Sequence, residues 1–501
     1  MIQNTRIYTI VFIASTVSLS FEITLTRIFS ISLWHHFAFM VISIAMMGLA
    51  LSGTFLSIFP KLKSLSNLSL YGFFLGISIS AGYLISNQIP FDPVKFQWSK
   101  AQFLLIGCYY LVLLVPFFFT GLIIASAYHS ISKKSGILYG FDLLGAGIGS
   151  VGILFLLKNL SPERVILLLS AVALITIPFT GTKSLKLISI LSLLIIVLLM
   201  AYQPAFVTPR ISPFKEMPQA LRYPNSRHIT TIYDSFSRID IFSSPAVRFA
   251  PGLSLKYLHP LPSQIGCSID GDEIMAITSP DKKSELHFLS HLPQALVYEI
   301  AGKKDALLID PKGGLPTLMA NYYNIRNIYN VESNALLVEV LQTQYAHFSG
   351  HIYSKNTWKG MGRSWLKSRP ETFNIIDISM TRSIPSGPSG LSEDYQLTVE
   401  AFREYISHLK PEGFLSLNLY IVPPPRQSFR LLTTIIKAME QSGNFDPALH
   451  IAAIRSWGTI SILIKKTPLQ TIEIEKIKNF AFSRFFDPIF YPGIQTEESN
   501  R

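Results

Sequence analysis

The sequence predicts two architectures in succession: an N-terminal all-α bundle of about seven transmembrane helices, then a doubly wound α/β domain preceded by a small β-subdomain. Three observations carry this. Apolar stretches of bilayer length fill the first 203 residues. Charge is divided unevenly, with 12 of the 43 Lys and Arg and 4 of the 31 Asp and Glu in residues 1–203. Beyond Asp305, short apolar runs alternate with helical patterns, the signature of a mostly parallel sheet. The expected boundaries are a membrane domain at 1–203, a linker at 204–230, a β-subdomain at 231–285 and an α/β domain at 286–501.

The chain has 501 residues, 49% hydrophobic and 15% charged, with a net charge of +12. Eight of those excess positive charges lie in the first 203 residues, in short loops between apolar segments, where they report membrane topology. No basic stripe interleaved with aromatics is present, so nucleic acid is not an expected partner. Only Cys108 and Cys267 occur, which supports neither a disulfide framework nor a cysteine metal site.

The expected spans are Ile7–Thr26, Phe37–Phe59, Leu68–Ile89, Gln102–His129, Ile137–Leu157, Val165–Phe179 and Leu185–Tyr202. The first has no small-residue cleavage site and a core longer than a signal peptide's. Seven crossings put the N-terminus and the soluble domain on opposite sides. Arg6, Lys61, Lys63, Lys133, Lys134, Lys183 and Lys186 then share the N-terminal side, against Arg27, Lys95, Lys100, Lys158 and Arg164 on the other. The majority favours a cytoplasmic N-terminus and an extracytoplasmic soluble domain. One helix more or fewer reverses that.

Two acids fall within the spans, Glu22 and Asp142. A charge in the bilayer is costly, so each is expected to face a partner or a cavity; Arg27 is near Glu22, although a spacing of five suits a same-face pair poorly. Helix packing explains both acids more simply than an ion path does. The fifth span carries GAGIGS from Gly145 to Ser150, which matches part of a dinucleotide fingerprint, but no strand precedes it. Gly145 and Gly149 read instead as a small-xxx-small face for close helix approach. His35 and His36, beside Trp34, read as interfacial anchors, and no metal site is expected.

Residues Gln203–Ser226 form a Pro-rich linker. Alternating runs at Ser237–Ile241, Leu253–Leu258, Cys267–Ile269 and Ile274–Ile277 predict the β-subdomain. The α/β domain is organised around Asp305–Glu339. There, Ala306–Ile309 predicts a strand, Gly313 and Gly314 a turn, Thr317–Tyr323 a helix and Ile328–Val331 a second strand ending at Glu332. In such a unit the turn brings backbone N–H groups to a ligand, and the acid after the second strand takes ribose hydroxyls. Asp310, Pro311 and Lys312 occupy positions where glycine would give positive φ and room for a ligand. The remaining elements are a strand at Phe373–Ile378, a helix at Asp394–His408, a strand at Gly413–Leu419, a helix at Phe429–Gln441 and a last strand at Thr459–Lys465.

The order of motifs resembles the membrane-anchored branch of the spermidine-synthase-like proteins, through nearly the whole chain. The membrane part contributes FEITLTRIFSISLWHHFAF from Phe21, PFFFTGL from Pro116 and YGFDLLGAGIGS from Tyr139. The soluble part contributes SFSRIDIF from Ser235, IDGDE from Ile269, GRSWL from Gly362, LSEDYQLTVEAFREYISHLKPEGFLS from Leu391 and FFDPIFYPG from Phe485. The resemblance implies a Rossmann-like fold of the S-adenosylmethionine-dependent methyltransferase kind, a bacterial cytoplasmic membrane and polyamine chemistry. If the site is active, the cofactor is S-adenosylmethionine or its decarboxylated form. Carried over by residue, Gly313, Gly314 and Glu332 match the cofactor turn and the ribose-binding acid.

The catalytic positions match less well. Where the resemblance implies an aspartate after the fourth strand, this chain has Ser379, with Asp377 two residues earlier. The Asp-Thr pair that usually follows is Arg382-Ser383, the tyrosine expected before Thr398 is Leu397, and HFLSHLP, with His287 and His291, stands where an acidic diamine motif belongs. Asp377, Ser379 and Tyr395 remain the catalytic candidates. An attacking amine needs a base of suitable pKa and a diamine needs carboxylates, so these exchanges point to lost aminopropyl transfer. The expected function is a degenerate module that binds a protein partner or a second copy in a membrane complex. The alternative is an S-adenosyl-type transferase, of aminopropyl or methyl groups, with an altered site. A transporter using Glu22 and Asp142 ranks third, for want of inverted repeats.

Overall fold

The computed structural model describes residues 2–34, 37–131, 134–175, 177, 181–281, 283–353, 356–381, 395–443 and 446–495. His35, His36, Lys133, Arg382 and Ser383 lie outside them. Contacts divide the chain into two units: Met1–Arg222 with Thr231–Asp240 and Ile269–Glu273, and Tyr223–Thr230 with Ile241–Ser268 and Ile274–Arg501.

The first unit is built from α1 (Ile2–Ser32), α2 (Ala38–Ile58), α3 (Leu68–Gln88), α4 (Ala101–Ser130), α5 (Ser135–Asn159), α6 (Pro162–Leu174), α7 (Lys183–Tyr202) and the short α8 (Glu216–Ala220). Six of these, α1 to α5 and α7, are long and apolar enough to cross a membrane. Within the sixth expected span, of which residues 176, 178 and 179 lie outside the described ones, α6 has 13 residues, about 20 Å against a hydrocarbon core of about 30 Å. Pro162 in the first turn sets its start.

Helix directions follow from close contacts. A Cβ on Gly145 would stand 2.3 Å from the Phe12 carbonyl oxygen, and one on Gly149 2.4 Å from that of Thr16, so α1 and α5 run parallel. Only glycine permits that approach. The α3–α6 pair is antiparallel: Gly72 faces Ile177 and Gly76 faces Leu174 and Ser170. The α6–α7 pair is antiparallel as well, since Arg164 at the start of α6 donates to Gln203 just beyond α7, at 2.8 Å.

The end of α1 is capped from a distance. Lys215 Nζ, buried, donates to the carbonyls of Ser30 (2.6 Å), Ile31 (3.0 Å) and Asp270 (2.8 Å). The Asp270 carboxylate accepts from both Arg27 terminal nitrogens at 2.9 and 3.1 Å and from Ser30 Oγ at 2.9 Å. Arg27 therefore pairs with Asp270 and not with Glu22.

Strands β1 (Arg227–Tyr233), β2 (Arg238–Ser243), β3 (Gln264–Ile269) and β4 (Glu273–Thr278) form a four-stranded sheet in the order β1-β2-β3-β4. The run Leu253–Leu258, expected as a strand, is instead a pair of turns. Gly252 has φ 72°, and the Leu253 and Tyr257 amides bond back to Ala250 and Ser254. The first strand, in contrast, begins within the expected linker.

The second unit continues with α9 (Ala295–Ile300), β5 (Asp305–Ile309), α10 (Leu315–Tyr322), β6 (Asn327–Glu332), α11 (Ala335–Gln342), β7 (Thr357–Lys359), α12 (Gly362–Lys367), β8 (Phe373–Thr381), α13 (Val399–Ser407), β9 (Leu409–Tyr420), α14 (Arg426–Ser442), β10 (Ile451–Ser456), β11 (Thr459–Lys465), α15 (Thr471–Ser483) and β12 (Asp487–Phe490). The eight-stranded order is β12-β10-β11-β9-β8-β5-β6-β7. Pairs from β7 to β9 are parallel, and β11, β10 and β12 add antiparallel partners. The strand at Thr459–Lys465 is thus not the last. Alternation sends Ala306 and Leu308 to one core with Tyr298 and Phe480, and Leu307 and Ile309 to the other with Phe402 and Ile435. Both faces of the sheet are covered, as a parallel sheet requires.

Candidate functional site

The order reverses at β5, which pairs in parallel with β6 on one side and β8 on the other. In open α/β sheets, ligands bind outside the carboxyl ends of strands at such a switch point. Here those ends present Asp310–Gly314, Glu332 and Ser379. The structure therefore brings Gly313, Gly314 and Glu332 together.

At two of its positions the turn has a glycine-like backbone without glycine. Asp310 has φ 49° and Lys312 φ 56°, against the expectation that these residues would not supply positive φ. An ordinary side chain there costs about 1–2 kcal/mol, least for Asp and Asn, and the surroundings hold it. The Asp310 amide donates to Val331 O at 2.8 Å, and its Oδ1 accepts from Ser333 N at 2.8 Å. Its Oδ2 accepts from Gln396 Nε2 at 2.9 Å, and Lys312 O accepts from Tyr353 OH at 2.7 Å.

Glu332 is fully buried. Its Oε2 accepts the Lys312 amide at 2.9 Å and its Oε1 the Asn334 amide at 3.0 Å. Burial, and after it the Asp310 carboxylate, raises its pKa, while Lys312 and the two amides oppose the shift. The acid that would meet ribose hydroxyls thus holds the turn instead. The glycines tell the same story. A Cβ on Gly313 would lie 2.4 Å from Ala276 O, and one on Gly314, at φ 88°, would lie 1.8 Å from Ile352 Cδ1. The room these glycines leave is filled by the chain itself.

The catalytic candidates separate. Asp377 is fully buried within β8, where its Oδ2 accepts from Tyr298 OH at 2.6 Å and its Oδ1 from Asn418 Nδ2 at 2.9 Å. Ser461 Oγ donates to Asn418 Oδ1 at 2.6 Å, extending the network across β9 and β11. Ser379 is buried, and its hydroxyl has no hydrogen-bond partner among the described residues. Tyr395 is 65% exposed, and its carbonyl accepts from Arg363 at 3.1 Å. His287 is exposed and lies 3.1 Å from Tyr322 OH, while His291 contacts the His287 carbonyl at 3.3 Å. Among the described residues no group of three or more His, Cys, Asp or Glu could hold a metal.

Sequence reasoning missed the residues that close this site: Tyr298, Ile352, Tyr353, Gln396 and Asn418. A signal existed for one. In the second half of β9 the alternating Ser416 and Asn418 interrupt the apolar run that begins at Phe414, which marks a polar lining inside the core. The candidates in the apolar helices make separate contacts. Asp142 accepts from Ser15 Oγ across α1 and α5, Arg27 binds Asp270, and Glu22 has no ion-pair partner among the described residues.

No protein-family model matches the chain, and no curated protein matches it. Among solved structures it is similar to a spermidine synthase in complex with the transition state analogue AdoDATO, at 15% identity and a TM-score of 0.32, covering 52% of this chain and 78% of that one. A probable spermidine synthase from Corynebacterium glutamicum gives 15% and 0.34, covering 52% and 88%. Human methyltransferase-like protein 13 in complex with SAH gives 16% and 0.26, covering 39% and 88%. Scores of this size carry no assignment.

Burial pushes the Asp377 pKa up to about 6, although Tyr298, Ser416 and Asn418 pull it down. The unfolded value is about 3.9. The native state therefore binds the extra proton between these values, and the stability this gives is complete below about pH 4 and lost as pH rises through 6. The total is about 3 kcal/mol. Melting of the full chain in detergent should show Asp377→Asn gaining stability relative to wild type from pH 4 to 7. Parallel curves for the two proteins would contradict the assignment.

Proposed function

We propose that the C-terminal unit is a catalytically degenerate spermidine-synthase-like module, retained in a membrane-anchored protein to bind a protein partner or a second copy within a membrane complex. The observation that carries this reading is the closure of the switch point. Both Glu332 oxygens are engaged by backbone amides, and Ile352 fills the space beside Gly314. Asp377 is engaged in the core, and HFLSHLP stands where the resemblance implies an acidic diamine motif, so among the described residues Asp377 is not a free base for aminopropyl transfer.

A second reading is supported by the preserved left-handed turn at Asp310 and Lys312 and by an acid at the end of β6. In that reading S-adenosylmethionine or its decarboxylated form displaces the closing side chains, and the protein is a methyl or aminopropyl transferase with an altered site. Equilibrium binding of both compounds to the detergent-purified full chain separates the two. The degenerate module shows no saturable binding up to about 1 mM, which is under about 4 kcal/mol. Micromolar binding that is lost in Glu332→Ala selects the transferase.

The bundle is further proposed to cross a bacterial cytoplasmic membrane seven times, the short α6 included. Tyr83 and Asn87 near the end of α3 bond to Val207 and Thr208, Leu154 near the end of α5 accepts from Ser235, and the end of α1 is capped by Lys215. These contacts, with α6 antiparallel to both α3 and α7, support one face on which α1, α3, α5 and α7 end. The N-terminus then lies in the cytoplasm and the C-terminal unit outside it. A reporter active only outside the cytoplasm, fused after Arg501, should be active. A fluorescent reporter that matures only in the cytoplasm and shines at that position would refute this orientation.

A further inference from the structure

The helical unit contains a cavity that the proposed function leaves unused. It has a volume of about 60 Å³ and lies where the ends of α1 and α3 meet the segment after α7. One water needs about 10–15 Å³ of such space, so the cavity has room for several waters or for one tetrahedral oxyanion.

Its polar lining selects a sign. Asp92, the acid among the lining residues, is buried and already engaged: Oδ1 accepts from Val94 N at 3.0 Å and Oδ2 from Ser212 Oγ at 2.6 Å. Lys95 and Arg210 also line the cavity, and among the described residues neither forms an ion pair. Ser32, at the end of α1, adds a buried hydroxyl with no hydrogen-bond partner among the described residues. Two cations without an ion pair outnumber the one carboxylate, whose oxygens already accept hydrogen bonds, and with an unused donor they favour an anion.

The surroundings narrow the anion. Lys95 Nζ sits 5.9 Å from the Phe214 ring centroid, and Trp98 meets Phe214 edge-on at 6.4 Å. Aromatic and basic residues at helix ends are the composition of a membrane–water boundary, the depth at which lipid phosphates lie. We propose that this cavity is a phosphate-binding site, with Lys95 and Arg210 as the charge partners and Ser32 as a hydrogen-bond donor. The phosphate is either that of an anionic phospholipid headgroup or the free ion.

The test titrates the detergent-purified full chain with inorganic phosphate and, separately, with a short-chain phosphatidylglycerol, beside a Lys95→Gln, Arg210→Gln double variant. Binding of at least one ligand should weaken about tenfold or more in the double variant, with an unchanged melting temperature, and Ser32→Ala should weaken it less. Binding of the lipid alone identifies a headgroup site, and binding of phosphate alone a site for the free ion. Should the double variant fail to fold, Ser32→Ala and displacement of the lipid by phosphate on the wild-type chain serve in its place. Equal affinity in wild type and variants, or no binding of either ligand by the wild type, overturns the proposal.

Discussion

A carboxylate taken wholly out of water must find donors, and around Glu332 those donors are backbone amides of its own domain. Everything at the switch point follows from that requirement. The Lys312 amide can reach Oε2 only if the turn keeps its left-handed residues, and the Asn334 amide reaches Oε1 only at the start of α11. Asp310 joins the same arrangement through Ser333 and Gln396. Removing the carboxyl group would take the acceptor from two partly buried N–H groups, each costing at most roughly 1–3 kcal/mol. The acid is thus explained by the stability of the turn, with no ligand needed to account for it.

The helical unit uses a comparable device at the end of α1. Helix ends leave carbonyls without partners, and at this end a buried lysine far along the chain supplies the donors. Burial lowers the Lys215 pKa to about 8, with Asp272 and Asp270 opposing the shift. Arg27, which reads from the sequence as a possible mate for Glu22, is instead committed to Asp270 in the same cluster. In both units, charged residues that suggest chemistry in the sequence are occupied in holding backbone together.

Much of the architecture was legible because it rests on local pattern. Bilayer-length apolar runs marked α1 to α5 and α7, and the strand, turn and helix between Ala306 and Tyr323 lay within two residues of their observed bounds. What failed was set by distant residues. The polar, charged run that makes β1 lacks apolar alternation, and Leu253–Leu258 has that alternation but is broken by the positive φ of Gly252. The φ of Asp310 and Lys312 could not be read locally, because Val331, Tyr353 and Gln396 hold those residues from elsewhere in the sequence. Nor could Ile352 be identified as the side chain against Gly314. The composition of the site was visible in the sequence, but its closure was a property of the fold.

The account's central claim is that the Lys312 and Asn334 amides are satisfied by Glu332 in a closed turn that no S-adenosyl compound opens. Amide hydrogen exchange of the full chain in detergent reads those two groups directly. Both should exchange slowly, at rates unaltered by millimolar S-adenosylmethionine or its decarboxylated form. Rapid exchange at both amides in the free protein, with protection appearing only on addition of either compound, would show an open site awaiting its ligand and would contradict the account.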